Sequence, residues 1–254
     1  MMHKINHCSD IKISVITATF NAASTLPALA DSLFAQTSKS FEWIVVDGLS
    51  TDGTYEYLKN LSESNSWIKL IHEPDFGIYD ALNKGIKNAA YDHYIVIGSD
   101  DKFSPTAIQD YTDALFRTPT ADVILSKVIK DGRVCGGFKR KARWLGHQQV
   151  FKGSHSIGML FRKTLHDQHG FYSNRFPMLA DGFFLKKLLN DHNVFFLEQN
   201  FVSGTFSTGG LSGTGKLQSL AETWQIQMLT EEKRTVQTIL FFLKVLARLR
   251  RIIN

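Results

Sequence analysis

The sequence predicts an α/β domain built on a mostly parallel central sheet, followed by a C-terminal helical appendage. Three observations lead there. Through the first half, strand-like apolar runs alternate with helix-like stretches, the signature of βα units. Four of those runs end in polar or acidic residues, and open parallel sheets bind ligands just beyond such strand ends. The 254 residues are also enough to bury a full core, as one large or two small domains.

The elements follow in order. Lys12 to Thr17 (KISVIT) is a short apolar, β-branched run and predicts the first strand. A helix over about Ser24 to Gln36 comes next, with Ser24 as its N-cap and Pro27 near the first turn. Glu42 to Val46 predicts the second strand and Gly53 to Leu61 the second helix. Trp67 to His72 is the third strand, Ile78 to Ala89 an amphipathic helix, and His93 to Gly98 the fourth strand. The second half is less regular. Ala121 to Ser126 reads as a strand, and Gly132 to Gly153, rich in Gly, Lys and Arg, as a mobile basic loop. His155 to Arg162 (HSIGMLFR) reads as a buried strand or a short helix, Asp181 to Leu189 as a helix opened by Asp181, and Asn193 to Gln199 as a final strand. A glycine-rich loop, Thr208 to Gly215, precedes helical patterns from Lys216 onward. No repeat, low-complexity tract or linker interrupts the chain, so residues 1–230 read as one domain and 231–254 as its appendage.

Composition narrows the partners. With 43% hydrophobic and 21% charged residues the chain is an ordinary soluble globule. A net charge of +5 suits an anionic substrate or an anionic membrane surface. Nucleic acid is not expected: the basic residues collect late, at Lys139, Arg140, Lys141 and Arg143 and from Lys233 to Arg251, with no RNA-binding signature or aromatic platform. Cys8 and Cys135 lack metal or CxxC spacing, which fits a reducing compartment. Residues 1–10 contain no apolar core of signal-peptide length, so a cytoplasmic location is expected. In residues 235–254, Val236, Ile239, Leu240, Leu243 and Leu246 share one helical face while Lys244, Arg248 and Arg251 lie on another. No run there reaches the ~20 apolar residues needed to span a bilayer. Such a helix either lies peripherally on an anionic membrane, at its inner face, or packs on protein.

The four strand ends are Thr17 to Asn21 (TATFN), Asp47-Gly48, Glu73-Pro74-Asp75 and Asp100-Asp101. The last is the most informative. Unit charges ~4 Å apart repel by about 4 kcal/mol at an effective dielectric near 20, so adjacent carboxylates after a buried strand call for a cation, unless they form a solvated turn.

These segments, together with QTSKSFEWIVVDGLSTDGT (Gln36 to Thr54), EPDFGIYDALNKGI (Glu73 to Ile86) and GSDD (Gly98 to Asp101), resemble the nucleotide-sugar half of family 2 glycosyltransferases. The resemblance is to the subgroup found in bacterial polysaccharide and capsule clusters. It is dense over about residues 12–105, the nucleotide-sugar half, and thinner over 106–230, the acceptor half. It implies the GT-A (Rossmann-like nucleotide-binding) fold. It also implies inverting transfer of a sugar from a nucleotide-sugar donor, a UDP-sugar, to a hydroxyl of a glycan or lipid-linked acceptor, assisted by Mg²⁺ or Mn²⁺.

Residue by residue, the resemblance implies that Thr17 and Asn21 shape the nucleotide pocket. Asp47 would accept the base N–H, relatives often having a second Asp where this chain has Gly48; the alternative is a turn-forming Asp. Asp80 and Asn83 would fall near sugar and phosphate, or else form ordinary helix surface. Asp100 would meet the ribose and Asp101 the cation, a sparse oxygen site suited to Mg²⁺ or Mn²⁺. Asp181 would be the general base, or only a helix cap. Relatives often carry a further Asp where this chain has Phe183. His155 and Arg162 are candidates for diphosphate or acceptor contact, and Trp144 and His147 lie in the basic loop.

Two other readings compete. VVDGLSTDGT superficially resembles an aspartate-based phosphohydrolase strand with Asp47 as nucleophile, but the next acid, Asp52, lies five residues on instead of two. A non-catalytic module binding nucleotide-sugar or glycan has the same donor site without turnover.

Overall fold

The computed structural model describes residues 11–136, 155–207, 216–230 and 233–253. Strands β1 (Ile13–Thr19), β2 (Phe41–Asp47), β3 (Ile68–His72) and β4 (His93–Val96) alternate with helices α1 (Leu26–Phe34), α2 (Thr54–Ser64) and α3 (Ile78–Lys87). There follow β5 (Lys102–Phe103), α4 (Ala107–Arg117), β6 (Val123–Lys130), β7 (Arg133–Cys135), β8 (Met159–Arg162), α5 (Leu165–His169), α6 (Ala180–Asn190), β9 (Phe196–Phe206), α7 (Lys216–Thr230) and α8 (Arg234–Ile253).

The strands form one mixed sheet in the order β3-β2-β1-β4-β8-β6-β9-β5, with β7 pairing β6. The first four are mutually parallel, Ile13 lying opposite Phe41 and His93. Strand β8 runs antiparallel to both β4 and β6. Strands buried on both faces need nearly continuous apolar sequence, and β1 and β2 supply it. Alternate residues then serve two cores. Val15, Trp43, Val45 and Ile95 join Leu26, Leu29, Ile108 and Tyr111 on one face. Ile16, Ile44, Val46 and Tyr94 join Leu82, Ile86, Phe161 and Phe184 on the other.

Several sequence expectations need adjustment. Helix α1 is preceded by Thr25, with Pro27 in its first turn, so Ser24 is not its N-cap. The 155–162 stretch is both things expected of it, a 3₁₀ turn at Ser156–Gly158 leading into β8. The last strand runs to Phe206, well past Gln199, because Val202 to Thr205 continue its pairing with β6 beyond an irregularity. Helix α6 follows Leu179, so Asp181 sits in the first turn instead of at the cap. Strands β5 and β7 and helices α4 and α5 were not expected. Lys139 to Arg143, Trp144, His147 and the 208–215 loop lie outside the described residues.

Helices α7 and α8 pair through Trp224, which stacks on Phe241 with ring centroids 5.3 Å apart and donates its indole N–H to Thr238 at 3.3 Å. Gln237 is buried in that seam, whereas Ile239, Phe242, Leu243 and Leu246 are each more than half exposed. Among the described residues no helix is long and apolar enough to cross a membrane.

Candidate active site

Parallel strands bring the carboxyl ends of β1 to β4 to one rim, and side-chain hydrogen bonds fix the loops that leave it. Asn21, in left-handed backbone (φ 50°), accepts the Thr51 N–H at 2.9 Å while its own N–H donates to Ser50 Oγ at 2.8 Å. Asp52 accepts the Ala23 N–H at 3.0 Å, and Thr54 Oγ1 accepts the Ala22 N–H at 2.8 Å. The STDGT run therefore stitches the β2–α2 loop to the β1–α1 loop, a role its side chains perform without ligand.

Asp47 is the centre of this stitching. Its side chain is fully buried and takes four donors: Thr19 Oγ1 at 3.0 Å, Ser50 N–H at 3.0 Å, Ser50 Oγ at 2.5 Å and His72 Nδ1 at 2.7 Å. A carboxylate offers about four lone-pair sites, so no acceptor capacity is left for a base. Thr17 likewise turns inward, its hydroxyl accepting the Trp43 indole N–H at 3.0 Å inside the sheet layer, so it supports the pocket from behind without lining it.

The acidic pair closes β4. Gly98 makes the space: a side chain there would press on Asp100 Oδ1 at 2.9 Å and Asp101 Oδ2 at 3.0 Å. Asp100 is partly exposed, whereas Asp101 is 1% exposed. Its Oδ1 accepts the Ser207 N–H at 3.0 Å and its Oδ2 the Gly98 N–H at 3.3 Å. Burial pushes the Asp101 carboxyl up to about 7, the Asp100 charge adding to it, while the two N–H donors pull the other way. His155, at the approach to β8, places Nδ1 3.7 Å from Asp101 Oδ2. Burial, and then the nearby Lys130 ammonium, hold His155 near 4, so it faces Asp101 as a neutral ring. It also lies on Phe206, ring centroids 3.6 Å apart. Because β8 is antiparallel to β4, its start is at the carboxylate rim and its end is at the opposite edge of the sheet.

That geometry removes Arg162 from the site. It lies opposite His93, where β4 begins, and its guanidinium bonds Asp122 Oδ1 at 3.0 Å and the carbonyls of Pro119 and Ala121 at 2.7 and 3.0 Å. Asn83 is engaged too, exchanging two hydrogen bonds with the Tyr172 backbone at 2.8 and 3.0 Å; it clamps the segment before α6 and does not face a ligand. Asp80 stays at the rim, accepting the Phe76 N–H at 3.2 Å and pairing with Lys84 at 3.3 Å, while Lys84 also holds Glu73 at 3.1 Å.

Asp181 reaches the same rim through Tyr79. The Tyr79 hydroxyl, in the first turn of α3, donates to Asp181 Oδ1 at 2.7 Å, and the Gly182 N–H donates to the same oxygen at 2.7 Å. Burial raises the Asp181 carboxyl above the ordinary range and these donors partly offset it. Burial and the Asp181 charge raise Tyr79 well above its usual value, which keeps it protonated as a donor. Sequence reasoning missed Tyr79, Phe206 and Ser207. Only Tyr79 had a signal, its place in the GIYDAL run.

The donor set near Asp101 suits a hard divalent ion: two adjacent carboxylates, one of them buried, beside a neutral imidazole. Among the described residues no three His, Cys, Asp or Glu side chains form a cage, so such an ion would need substrate oxygens to complete its shell. A surface hollow of about 670 Å³, lined by His169, Lys187, Asn190 and Leu229, includes none of these carboxylates in its lining.

Comparison with known proteins bears on this rim. The family model described as Glycosyl transferase family 2 matches residues 14–183. A PGL/p-HBAD biosynthesis glycosyltransferase of Mycobacterium tuberculosis is 29% identical over 212 residues, 79% of each chain. The structure of Staphylococcus aureus TarS 1–349 with UDP-GlcNAc superposes with a TM-score of 0.68 at 18% identity, over 89% of this chain and 69% of that one. A mannosyltransferase from Pyrobaculum calidifontis in complex with GDP-Man and Mn²⁺ gives 0.66 at 16% identity, over 87% and 65%.

Proposed function

We propose, from the premise that the chain belongs to glycosyl transferase family 2 and has the GT-A fold, that it transfers a sugar from a UDP-sugar to a hydroxyl of a glycan or lipid-linked acceptor, with inversion. The observation that carries this reading is the buried Asp101 carboxylate at the end of β4, walled by neutral His155 and beside Asp100, on the same sheet end as Asp181. The UDP-GlcNAc and Mn²⁺ bound by two proteins of like fold support it.

Asp101 and Asp100 would hold Mg²⁺ or Mn²⁺ together with the donor diphosphate. Bound there, the ion would supply Lewis-acid neutralisation of charge on the departing diphosphate. Asp100 also faces the ribose, and Asp80 with Lys84 stands at the sugar side of the rim. Asp181, held by Tyr79, takes the proton of the acceptor hydroxyl as its oxygen bonds the anomeric carbon. The bond from that carbon to the diphosphate oxygen breaks on the opposite face, and its electron pair leaves with the nucleoside diphosphate. An α-linked donor then gives a β-linked product. His155 closes the wall behind the diphosphate.

The setting proposed is surface polysaccharide synthesis at the inner face of the membrane. Support comes from α8, where exposed Ile239, Phe242, Leu243 and Leu246 are accompanied in sequence by Lys233, Arg234, Lys244, Arg248, Arg250 and Arg251 and by no acid.

The test is incubation with UDP-sugars and Mn²⁺, with and without EDTA. Cation-dependent release of UDP from a sugar donor is expected, and Asp181→Asn should keep UDP affinity while losing about 10²- to 10⁴-fold in turnover. Phosphate released from simple monoesters would favour hydrolysis instead, and binding without turnover a non-catalytic module.

A further inference from the structure

We infer that Asp75, at the end of β3, is the carboxylate that reads the nucleobase, and that the base it fits is uracil. This rests on the donor reading above and deepens it. Asp47 has no oxygen to give, since all four of its bonds are internal and its side chain is fully buried. The next residue, Gly48, has no side chain, and a Cβ built on it would overlap Asp75 Oδ2 and lie 3.1 Å from Asp75 Cγ. A carboxylate from the β3 loop thus stands where a side chain at position 48 would begin.

Its attitude is fixed. Asp75 Oδ1 accepts the Gly77 N–H at 2.8 Å, while Oδ2, on the Gly48 side, takes no hydrogen bond among the described residues. Asp75 is only partly exposed, so this oxygen is held at the rim instead of trailing in water. The loops that leave the three neighbouring strand ends carry large, exposed apolar side chains: Phe20 after β1 at 67% exposure, Leu49 after β2 at 43% and Phe76 after β3 at 91%. Leu49 keeps left-handed backbone (φ 62°), a conformation an aliphatic residue adopts only when its surroundings impose it. Here the bonds of Ser50 to Asp47 impose it. One fixed acceptor oxygen on a rim whose loops carry exposed apolar side chains matches a flat ring with a single edge N–H.

Uracil N3–H is such a donor. Cytosine presents a lone pair at the same position, which a carboxylate repels. Guanine presents two adjacent donors and calls for both carboxylate oxygens, of which Oδ1 is already engaged by Gly77.

The test is calorimetric titration of the full chain with UDP, CDP and GDP in the presence of Mn²⁺, on wild type, Asp75→Asn and Gly48→Ala. Wild type should prefer UDP over CDP by about 10- to 100-fold, the range for a hydrogen bond to a charged group. Asp75→Asn is isosteric and keeps the acceptor for Gly77, but its amide N–H₂ faces the base; UDP should weaken about 10-fold or more and CDP should gain, bringing the two towards parity. Gly48→Ala displaces the carboxylate without altering it and should weaken UDP more than CDP. An unchanged UDP-to-CDP ratio in both variants, with wild type binding UDP, would overturn the assignment of Asp75 alone. Preference for GDP would overturn the choice of base. Wild type binding none of the three would overturn the donor reading and this inference with it.

Discussion

Replacing Asp101 by Asn should make the cation-free protein more stable at pH 8 and no more stable at pH 5. The carboxyl is 1% exposed and sits at about 7 in the folded chain against an ordinary 3.8. A group raised in the folded state contributes stability that is complete below its unfolded value and is lost as pH climbs through the folded one. Three units at ~1.4 kcal/mol each give about 4 kcal/mol lost by pH 8, with about 3 kcal/mol of it arising above pH 5. Asn removes that loss. It also sets an amide N–H₂ or a lone carbonyl against the Gly98 and Ser207 N–H groups, leaving one donor unanswered at about 1–3 kcal/mol. The net expectation is a gain of about 1–3 kcal/mol at pH 8 and, at pH 5, between no change and a loss of about 2 kcal/mol. Urea unfolding of both proteins in EDTA measures it. His93 and His166, both held near 4 by burial, lose stability in the opposite sense as pH falls, and they cancel in the difference between variant and wild type. Adding Mn²⁺ with UDP should stabilise the wild type alone. A variant destabilised equally at both pH values, or one that keeps the full Mn²⁺ effect, would refute the reasoning.

Two further expectations concern the base and the C-terminal helix. Tyr79→Phe removes a donor that lowers Asp181, so that carboxyl rises further, and the acidic limb of the turnover-versus-pH profile should move to higher pH; a limb that stays in place would separate Tyr79 from the base. Phe242→Ser with Leu243→Ser should cut co-sedimentation with phosphatidylglycerol vesicles by more than about tenfold, since each buried side chain contributes about 1.5–3 kcal/mol. Retained vesicle binding, or a loss of self-association in light scattering instead, would assign the ridge to protein contacts.

How much of this was legible depends on which physical signal each element carries. Strands β1, β2 and β4 are read to within two or three residues because burial on both faces leaves an uninterrupted apolar run. Strand β9 mixes Glu198, Gln199 and Asn200 into a half-exposed ribbon, so its true end is invisible without its partner β6. Helix α4 does carry a signal, with Ile108, Tyr111 and Leu115 at helical spacing. At the site, parallel-sheet logic correctly gathers Asp47, Asp75 and Asp101 at one rim. What composition and spacing do not contain is which way each side chain turns. Thr17 points to Trp43 because of the β1–β2 register, and Asp47 is claimed by His72, 25 residues away. His155 and Arg162 were grouped as one feature, yet the direction of β8 sends them to opposite edges; only strand orientation, a tertiary property, separates them.

The position of β4, with β1 on one flank and β8 on the other, bears on how such chains diversify. Cutting the polypeptide after residue 105 would strip the cover from the innermost strand and bare a row of unsatisfied amides to any passing chain. Recombining a front half with a foreign back half therefore demands a matched replacement for β8. Point changes in the loops beyond the strands carry no such demand, and they are the cheaper route by which acceptor choice can drift while the core stays intact.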